Sequence, residues 1–230
     1  MSVQLNDIEF QVKKYEDLLL LQSGTAGSIS LPQMARKILD SDIPAIINVI
    51  ATEKEICIQC EESFVDIIFE RISTFNFEQL APKEKQYFLP VYFYENEDTK
   101  HIEDTSNMSF ETYIHAILER EYTLSMFGFV PGFLYLRALA DNLAIPRKSN
   151  PSTQIEAGSI AVGGHFLGLY SLSTPAGWHV LGKTPLTVLD LPNTPPILLE
   201  PGDRIVLKRI DANEFKVLQA LSQNILEYND

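Results

Sequence analysis

Residues Ser171–Pro185 read SLSTPAGWHVLGKTP and hold the only tryptophan of the chain, Trp178, with Lys183, Pro175, Pro185, Gly177 and Gly182 around it. Proline removes a backbone donor, and glycine weakens both helix and strand interiors, so the stretch makes neither a helix nor one long strand. It must cross the fold as short strands joined by turns. The same texture runs from Tyr122 onward. GFVPGFLYL (Gly128–Leu136), IPRKSNPSTQIEAGSIAVGG (Ile145–Gly164), HFLGLYSLSTPAGW (His165–Trp178) and LGKTPLTVLD (Leu181–Asp190) are all short β-compatible runs punctuated by Pro and Gly. Short, evenly spaced strands of this kind predict a β-barrel or sandwich over residues 122–230.

Upstream the pattern changes. Tyr15–Leu21 is apolar, Ser30 and Pro32 start a helix through LPQMARKILDS, and Ala45–Ala51 is β-branched. Glu55–Cys60 alternates, and Ser63–Ile72 carries Phe64, Ile67, Ile68 and Ile72 on one helical stripe. Gln86–Tyr94 (QYFLPVYFY) is an aromatic strand whose Pro90 marks an edge or bulge. This order, β-α-β-β-α-β, predicts a ferredoxin-like α+β domain over residues 1–94. ENEDTKHIEDTSN (Glu95–Asn107) reads as a solvated acidic loop that, with a helix capped by Ser109, forms a link over 95–121. A last helix is expected at Ala212–Leu226.

The net charge is −13 over 230 residues, and 22 of the 31 acidic side chains precede Thr123. An acidic surface repels phosphate backbones and anionic bilayers, so neither nucleic acid nor membrane is expected as partner. No run approaches the ~20 apolar residues of a bilayer span, and the first residues lack a signal pattern, so a cytoplasmic location is expected. Cys57 and Cys60 spell CxxC but lie in an alternating strand that turns them to opposite faces, which argues against a redox or metal pair. No metal site is expected.

The near-neutral C-terminal part holds the candidate site residues. Arg147 and Lys148 follow Pro146 in an extended polar stretch and make either a solvated pair or an anion site. Lys183 and Thr184 combine an ammonium and a hydroxyl beside Gly182, suited to phosphate or carboxylate. His165 has the chemistry of a general acid or base, or is an ordinary surface residue. Trp178 either floors a pocket or anchors the core. The site is expected at the open mouth of the barrel.

The ordered series GFxPGFxYL, PRxxxP, AGSxAxxG, GxYxxxxPxGW and GxTPL, over Phe127–Asp190, resembles the carboxyltransferase-domain family, subdomains C and D. That family includes the B-type subunit of 5-oxoprolinase, the allophanate hydrolase small subunit (its subunit 1) and the sporulation kinase A inhibitor. The resemblance implies a ferredoxin-like domain followed by a cyclophilin-like β-barrel. It implies the B-type subunit of an ATP-dependent 5-oxoprolinase, opening 5-oxo-L-proline to L-glutamate with a sister C-type subunit of the same superfamily and a lactam-opening A-type subunit. ATP would be bound by, or shared with, the partner. The alternatives are a regulator that inhibits a sensor histidine kinase, or a subunit of allophanate hydrolase or urea carboxylase. By matching position, Arg147 and Lys148 take the place of the family's basic pair and Lys183 that of its next cation. Thr174 and Thr184 would add hydroxyls, and Tyr170 and Trp178 pocket walls, around a small anionic substrate. Arg147, Lys183 and His165 are the catalytic candidates. Glu156 stands where the family has Pro, Ala176 where it has Gly, and Lys183 where it has Arg.

Overall fold

The structure is a computed structural model that describes residues 1–24, 30–41, 43–75, 77, 85–137, 139–191 and 199–229. The chain forms two units, Met1–Lys83 and Glu84–Asp230.

The first unit contains β1 (Ser2–Leu5), β2 (Ile8–Lys14), β3 (Leu18–Ser23), α1 (Leu31–Leu39), β4 (Ile46–Ala51), β5 (Glu55–Cys60) and α2 (Val65–Ser73). The five strands make one antiparallel sheet in the order β1-β2-β3-β5-β4. Alternation decides its buried face: Ile8, Phe10 and Val12 of β2, Leu19 and Leu21 of β3, and Ile56, Ile58 and Cys60 of β5 point into one core. Met34 and Ile38 of α1 and Ile68 and Ile72 of α2 complete it, while Ile67 is exposed. Ser30 caps α1 in a capping box with Gln33, as the Ser-Pro start predicts. The split β-α-β of β3, α1 and β4 around β5 is present. The expected ferredoxin-like pattern is otherwise changed at its end. The strand after α2 is absent from this sheet, and β2, from an N-terminal hairpin, lies beside β3 instead.

That missing strand is β6 (Gln86–Phe93), and it belongs to the second unit. The rest of that unit comprises α3 (Thr99–Ser106), α4 (Phe110–Leu118), β7 (Glu121–Phe127), β8 (Leu134–Arg137), β9 (Ser152–Ile155), β10 (Ser159–Gly163), β11 (Phe166–Leu169), β12 (Thr174–Ala176), β13 (His179–Lys183), β14 (Arg204–Arg209), α5 (Ala212–Leu221) and α6 (Ile225–Asn229). Seven strands close in the order β10-β11-β8-β7-β14-β6-β13, with β13 returning to β10. The result is a closed barrel, consistent with the expected cyclophilin-like one. The domain boundary expected after Tyr94 therefore moves back to the start of β6.

Pro90 lies where, among the described residues, one side of β6 has no strand beside it. Parallel pairing with β14 runs the length of β6, but β13 reaches it only at Tyr92 and Phe93. Along the remaining side, Asn229 of α6 stands in for a strand, donating to the Phe88 carbonyl (3.1 Å) and accepting from its amide (2.7 Å). Pro90, the next residue facing that side, has no amide to satisfy.

Inside the barrel, alternate residues interleave: Leu89, Val91 and Phe93 of β6, Tyr122 and Leu124 of β7, Ile160 and Val162 of β10, and Leu167 and Leu169 of β11. The stretch 95–121, expected as a link, is part of this unit. α3 and α4 pack on the barrel through Ile102, Tyr113, Ile114 and Ile117. Ser109 caps α4, accepting from the Thr112 amide at 3.2 Å. The expected C-terminal helix is two, because Ser222 turns left-handed (φ 53°) after α5. No helix among the described residues is long and apolar enough to cross a membrane.

Candidate functional site on the barrel wall

Ala161 and Gly163 of β10 alternate with the inward Ile160 and Val162, so they face outward. On this outer wall sits a second apolar cluster of Phe133, Ile155, Ala161, Tyr170, Ala176 and Trp178. Trp178 lies flat on a glycine floor. A Cβ on Gly163 would come 2.6 Å from indole Cγ and Cε2, and one on Gly168 would come 2.5 Å from Phe133 Cζ and 2.7 Å from Trp178 Cζ3. Phe133 and Tyr135 meet the indole edge-on, at 5.5 and 5.6 Å between centroids. The ring is 5% exposed. The site is thus on the wall of the barrel, not at its open mouth, because the glycines that admit the indole are outward residues of β10 and β11.

Pro146–Lys148 runs antiparallel to Gly177–His179. The Lys148 amide donates to the Gly177 carbonyl at 2.7 Å, and His179 Nε2 donates to the Pro146 carbonyl at 3.0 Å. Between these two bonds the exposed Arg147 stands over the indole, Cζ 5.5 Å from its centroid. Among the described residues no carboxylate lies within ion-pair distance of this guanidinium, so its N–H edges are free for an anion. Stacking of an exposed guanidinium on the indole contributes about 0.5–1 kcal/mol, enough to orient the fork. The Tyr135 and Tyr170 hydroxyls lie within reach of its field. Burial raises both phenols, and the Arg147 charge opposes the rise in each.

Lys148 points the other way, into the protein. Its Nζ is 2.6 Å from Asp98 Oδ1 and donates to Ser152 Oγ at 2.8 Å, with both charged side chains nearly buried. Asp98 stands at the start of α3 but does not cap it. Its second oxygen accepts from the Val180 amide at 2.9 Å. Asn96 ties the turn to β13 by donating to the Val180 carbonyl at 3.0 Å and accepting from the Asp98 amide at 2.8 Å. Burial pushes the Asp98 carboxyl up, but the nearby His179 ring, Lys148 and the Val180 amide outweigh it and hold it below its usual range. His179 is 2% exposed, and its Nδ1 lies 3.4 Å from Asp98 Oδ1. The exposed ring of His101 stacks on it at 4.5 Å, nearly parallel.

The structure therefore groups four of the residues picked out in the sequence: Arg147, Lys148, Tyr170 and Trp178. The other four stand apart. Lys183 is turned outward by a bulge at Leu181–Gly182 and pairs with Glu156 at 2.5 Å. Its charge holds the Glu156 carboxyl below its usual range. Thr184 is buried in a turn, its amide donating to the Gly158 carbonyl (2.9 Å) and its Oγ1 accepting from Leu186 (3.3 Å). Thr174 pairs with Ile155 in the separate two-stranded sheet of β9 and β12. His165 is on the exposed turn between β10 and β11, Nδ1 3.5 Å from Asp141 Oδ1. These positions correct the expectation of one convergent set. Their nearness in sequence to Trp178 does not survive the strand bulge and the β10–β11 turn.

Sequence reasoning missed Asp98, His101 and His179. Asp98 and His101 lie in the stretch whose composition reads as a solvated loop. A signal was present: Ile102 is an isolated apolar residue in ENEDTKHIEDTSN, placed to anchor a helix. Among the described residues no group of three or more His, Cys, Asp or Glu has the placement to hold a metal ion.

Comparison with known proteins agrees with the motif series. The chain is 37% identical over 118 residues to the B-type subunit of 5-oxoprolinase from Bacillus subtilis, covering 51% of this chain and 49% of that protein. It is 44% identical over 85 residues to the B-type subunit of 5-oxoprolinase from Escherichia coli O157:H7, covering 37% and 39%. The matched stretches thus span half or less of these curated relatives. In fold, the chain superposes on the urea amidolyase of K. lactis with a TM-score of 0.75 at 14% identity, over 98% of this chain and 16% of that one. The family model described as carboxyltransferase domain, subdomain C and D, matches residues 20–199, and the chain belongs to that family.

Proposed function

We propose that this chain is the B-type subunit of an ATP-dependent 5-oxoprolinase, opening 5-oxo-L-proline to L-glutamate together with a sister C-type subunit and a lactam-opening A-type subunit. The observation that carries the reading is the identity of 37% and 44% to proteins named as the B-type subunit of 5-oxoprolinase. The wall site supports it chemically. The substrate is a small flat ring with one carboxylate. A free guanidinium fork matches a carboxylate in two parallel hydrogen bonds, and aromatic edges beside it accept a flat ring.

The lactam carbonyl is a poor electrophile, and ATP supplies the activation by phosphorylating its oxygen. What this chain's residues contribute is positioning and charge. Arg147 binds the carboxylate and fixes the ring over the wall. The Tyr135 and Tyr170 hydroxyls donate to oxygens brought into reach. Trp178 and the buried cluster under it keep water from one face. Arg147 is the cation this site offers to an anion, which suits one carboxylate or one phosphate oxygen better than a triphosphate. The nucleotide is accordingly assigned to the partner or to the shared interface.

The test is reconstitution. The chain is mixed with its two partner subunits, 5-oxoproline and ATP, and glutamate is followed. Absence of glutamate, or full activity without this chain, would sink the reading. Turnover of allophanate or carboxylation of urea by the same mixture would move the assignment to the urea-metabolising branch. Tight binding to a histidine kinase, with no glutamate formed, would make the chain a regulator. In the active complex, Arg147→Ala should raise KM for 5-oxoproline by tenfold or more, as expected for loss of a charged hydrogen-bonded contact of about 1.5–3 kcal/mol.

A further inference from the structure

Arg147 is an exposed side chain on a segment with no regular secondary structure, yet it is held over Trp178. The residues that hold it are buried beneath it. His179 Nε2 grips the carbonyl of Pro146, the residue before Arg147. Asp98 grips Lys148, the residue after it, at 2.6 Å. The two holders are themselves adjacent, 3.4 Å apart, on separate elements, the start of α3 and the start of β13.

The chemistry of His179 is constrained by its partners. A carbonyl only accepts, so Nε2 carries a proton. Nδ1 is buried and makes no hydrogen bond, and the nearest group is the Asp98 carboxylate. A neutral imidazole would turn a lone pair toward that carboxylate. An imidazolium would donate toward it. The groups facing the ring are Asp98 and His101 from α3, with Lys148 sharing the same carboxylate oxygen from the other side. An unpartnered polar atom buried beside a charge is costly unless it serves an arrangement. Here the arrangement is the placement of Arg147.

We infer that Asp98 and His179 are positioning residues that clamp Pro146–Lys148 from below, fixing the Arg147 guanidinium over Trp178 and presenting its free edge to an anionic ligand. Neither touches the ligand; both act through the segment they hold. The inference rests on reading Arg147 as the ligand's cation. Its test does not depend on which anion that is.

Trp178 is the only tryptophan in the chain, so its emission and its indole N–H resonance report this one place. In the full chain, without partners, acrylamide quenching of Trp178 is measured for wild type, Arg147→Ala, Asp98→Asn, His179→Leu, His179→Gln and the pair Arg147→Ala/His179→Leu. Arg147→Ala uncovers the outer face of the ring and should raise the quenching constant at least twofold. His179→Leu keeps volume but loses the bond to Pro146, and Asp98→Asn keeps shape but loses the charge that holds Lys148. Both should raise quenching in the same way. His179→Gln retains an N–H donor for Pro146 and should stay within 1.3-fold of wild type. The double variant should match Arg147→Ala alone, because the clamp acts through that side chain.

The inference is overturned if Asp98→Asn and His179→Leu leave quenching and the indole resonance at wild-type values while Arg147→Ala moves them. It is equally overturned if the effects of His179→Leu and Arg147→Ala add, or if His179→Gln behaves as His179→Leu. Should His179→Leu fail to fold, the isosteric Asp98→Asn decides the matter. In the reconstituted complex Asp98→Asn and His179→Leu should raise KM for 5-oxoproline and leave kcat within twofold, while His179→Gln keeps the wild-type KM. A complex that makes no glutamate would refute the proposed activity and leave the fluorescence result standing.

Discussion

Replacing Gly163 by alanine tests the glycine floor directly. The backbone at Gly163 lies outside the left-handed region, so alanine fits its torsions and the cost is steric. The new methyl would fall 2.6 Å from Cγ and Cε2 of Trp178. Ordinary carbon contacts begin near ~3.5 Å and Cδ2 would be closer still, so the indole must move outward by roughly 1 Å. It has little room inward, because Phe133 and Tyr135 meet its edges. The movement is toward Arg147 and solvent. Overpacking of this kind costs about 1–3 kcal/mol. For a unit of this size each kcal/mol is worth roughly 2–4 °C, so the melting midpoint should fall by roughly 2–12 °C. Trp178 emission should shift to the red as its face opens. The matched control is Gly128→Ala, whose methyl meets Tyr135 Cε2 at 3.5 Å, an ordinary contact. Thermal unfolding followed by circular dichroism and by tryptophan emission reads both variants. A Gly163→Ala protein with wild-type midpoint and emission would show that the indole does not rest on β10, and the wall site would lose its foundation.

Three further outcomes are expected. The Asp98 carboxyl is held below its ordinary value of 3.8, so its contribution to stability is present above about pH 4 and is lost as pH falls through the folded value. Urea midpoints from pH 7 to pH 2 should therefore fall more steeply for wild type than for Asp98→Asn and converge at the acid end; parallel curves would contradict this. Asn229→Ala removes both hydrogen bonds to Phe88 and leaves one side of β6 unsatisfied, at a cost of about 1–3 kcal/mol in chemical denaturation. Lys183→Met breaks a pair whose carboxylate is 69% exposed, so it should cost under ~1 kcal/mol and change activity of the complex less than threefold. A tenfold loss of activity would return Lys183 to the site.

The sequence carried the local facts well. Helix starts at Ser30 and Ser109 are dictated by hydroxyl caps within a few residues, and both form. The alternation in EICIQC and the Pro–Gly punctuation after Tyr122 depend on neighbours in the chain, and they predicted strands where strands stand. The motif series likewise identified the family, because five short patterns in fixed order over Phe127–Asp190 rarely recur together by chance.

What the sequence could not decide was partnership between distant segments. Gln86–Phe93 has the composition of a strand in either unit. Only its pairing with Arg204–Arg209, more than a hundred residues away, assigns it to the barrel. Lys148 and Lys183 are alike in sequence, each a cation two residues from a proline. Tertiary structure separates them: Lys148 meets Asp98 and turns inward, while a one-residue bulge turns Lys183 to Glu156. Asp98 and His101 read as solvated because their neighbours are acidic, and burial of Asp98 becomes tolerable only when Lys148, His179 and the Val180 amide arrive from elsewhere in the chain. Hydrophobic period and capping are short-range and legible in order along the chain. The neutralisation of a buried charge is a long-range property, set by which side chains the closed barrel brings within about 4 Å of one another.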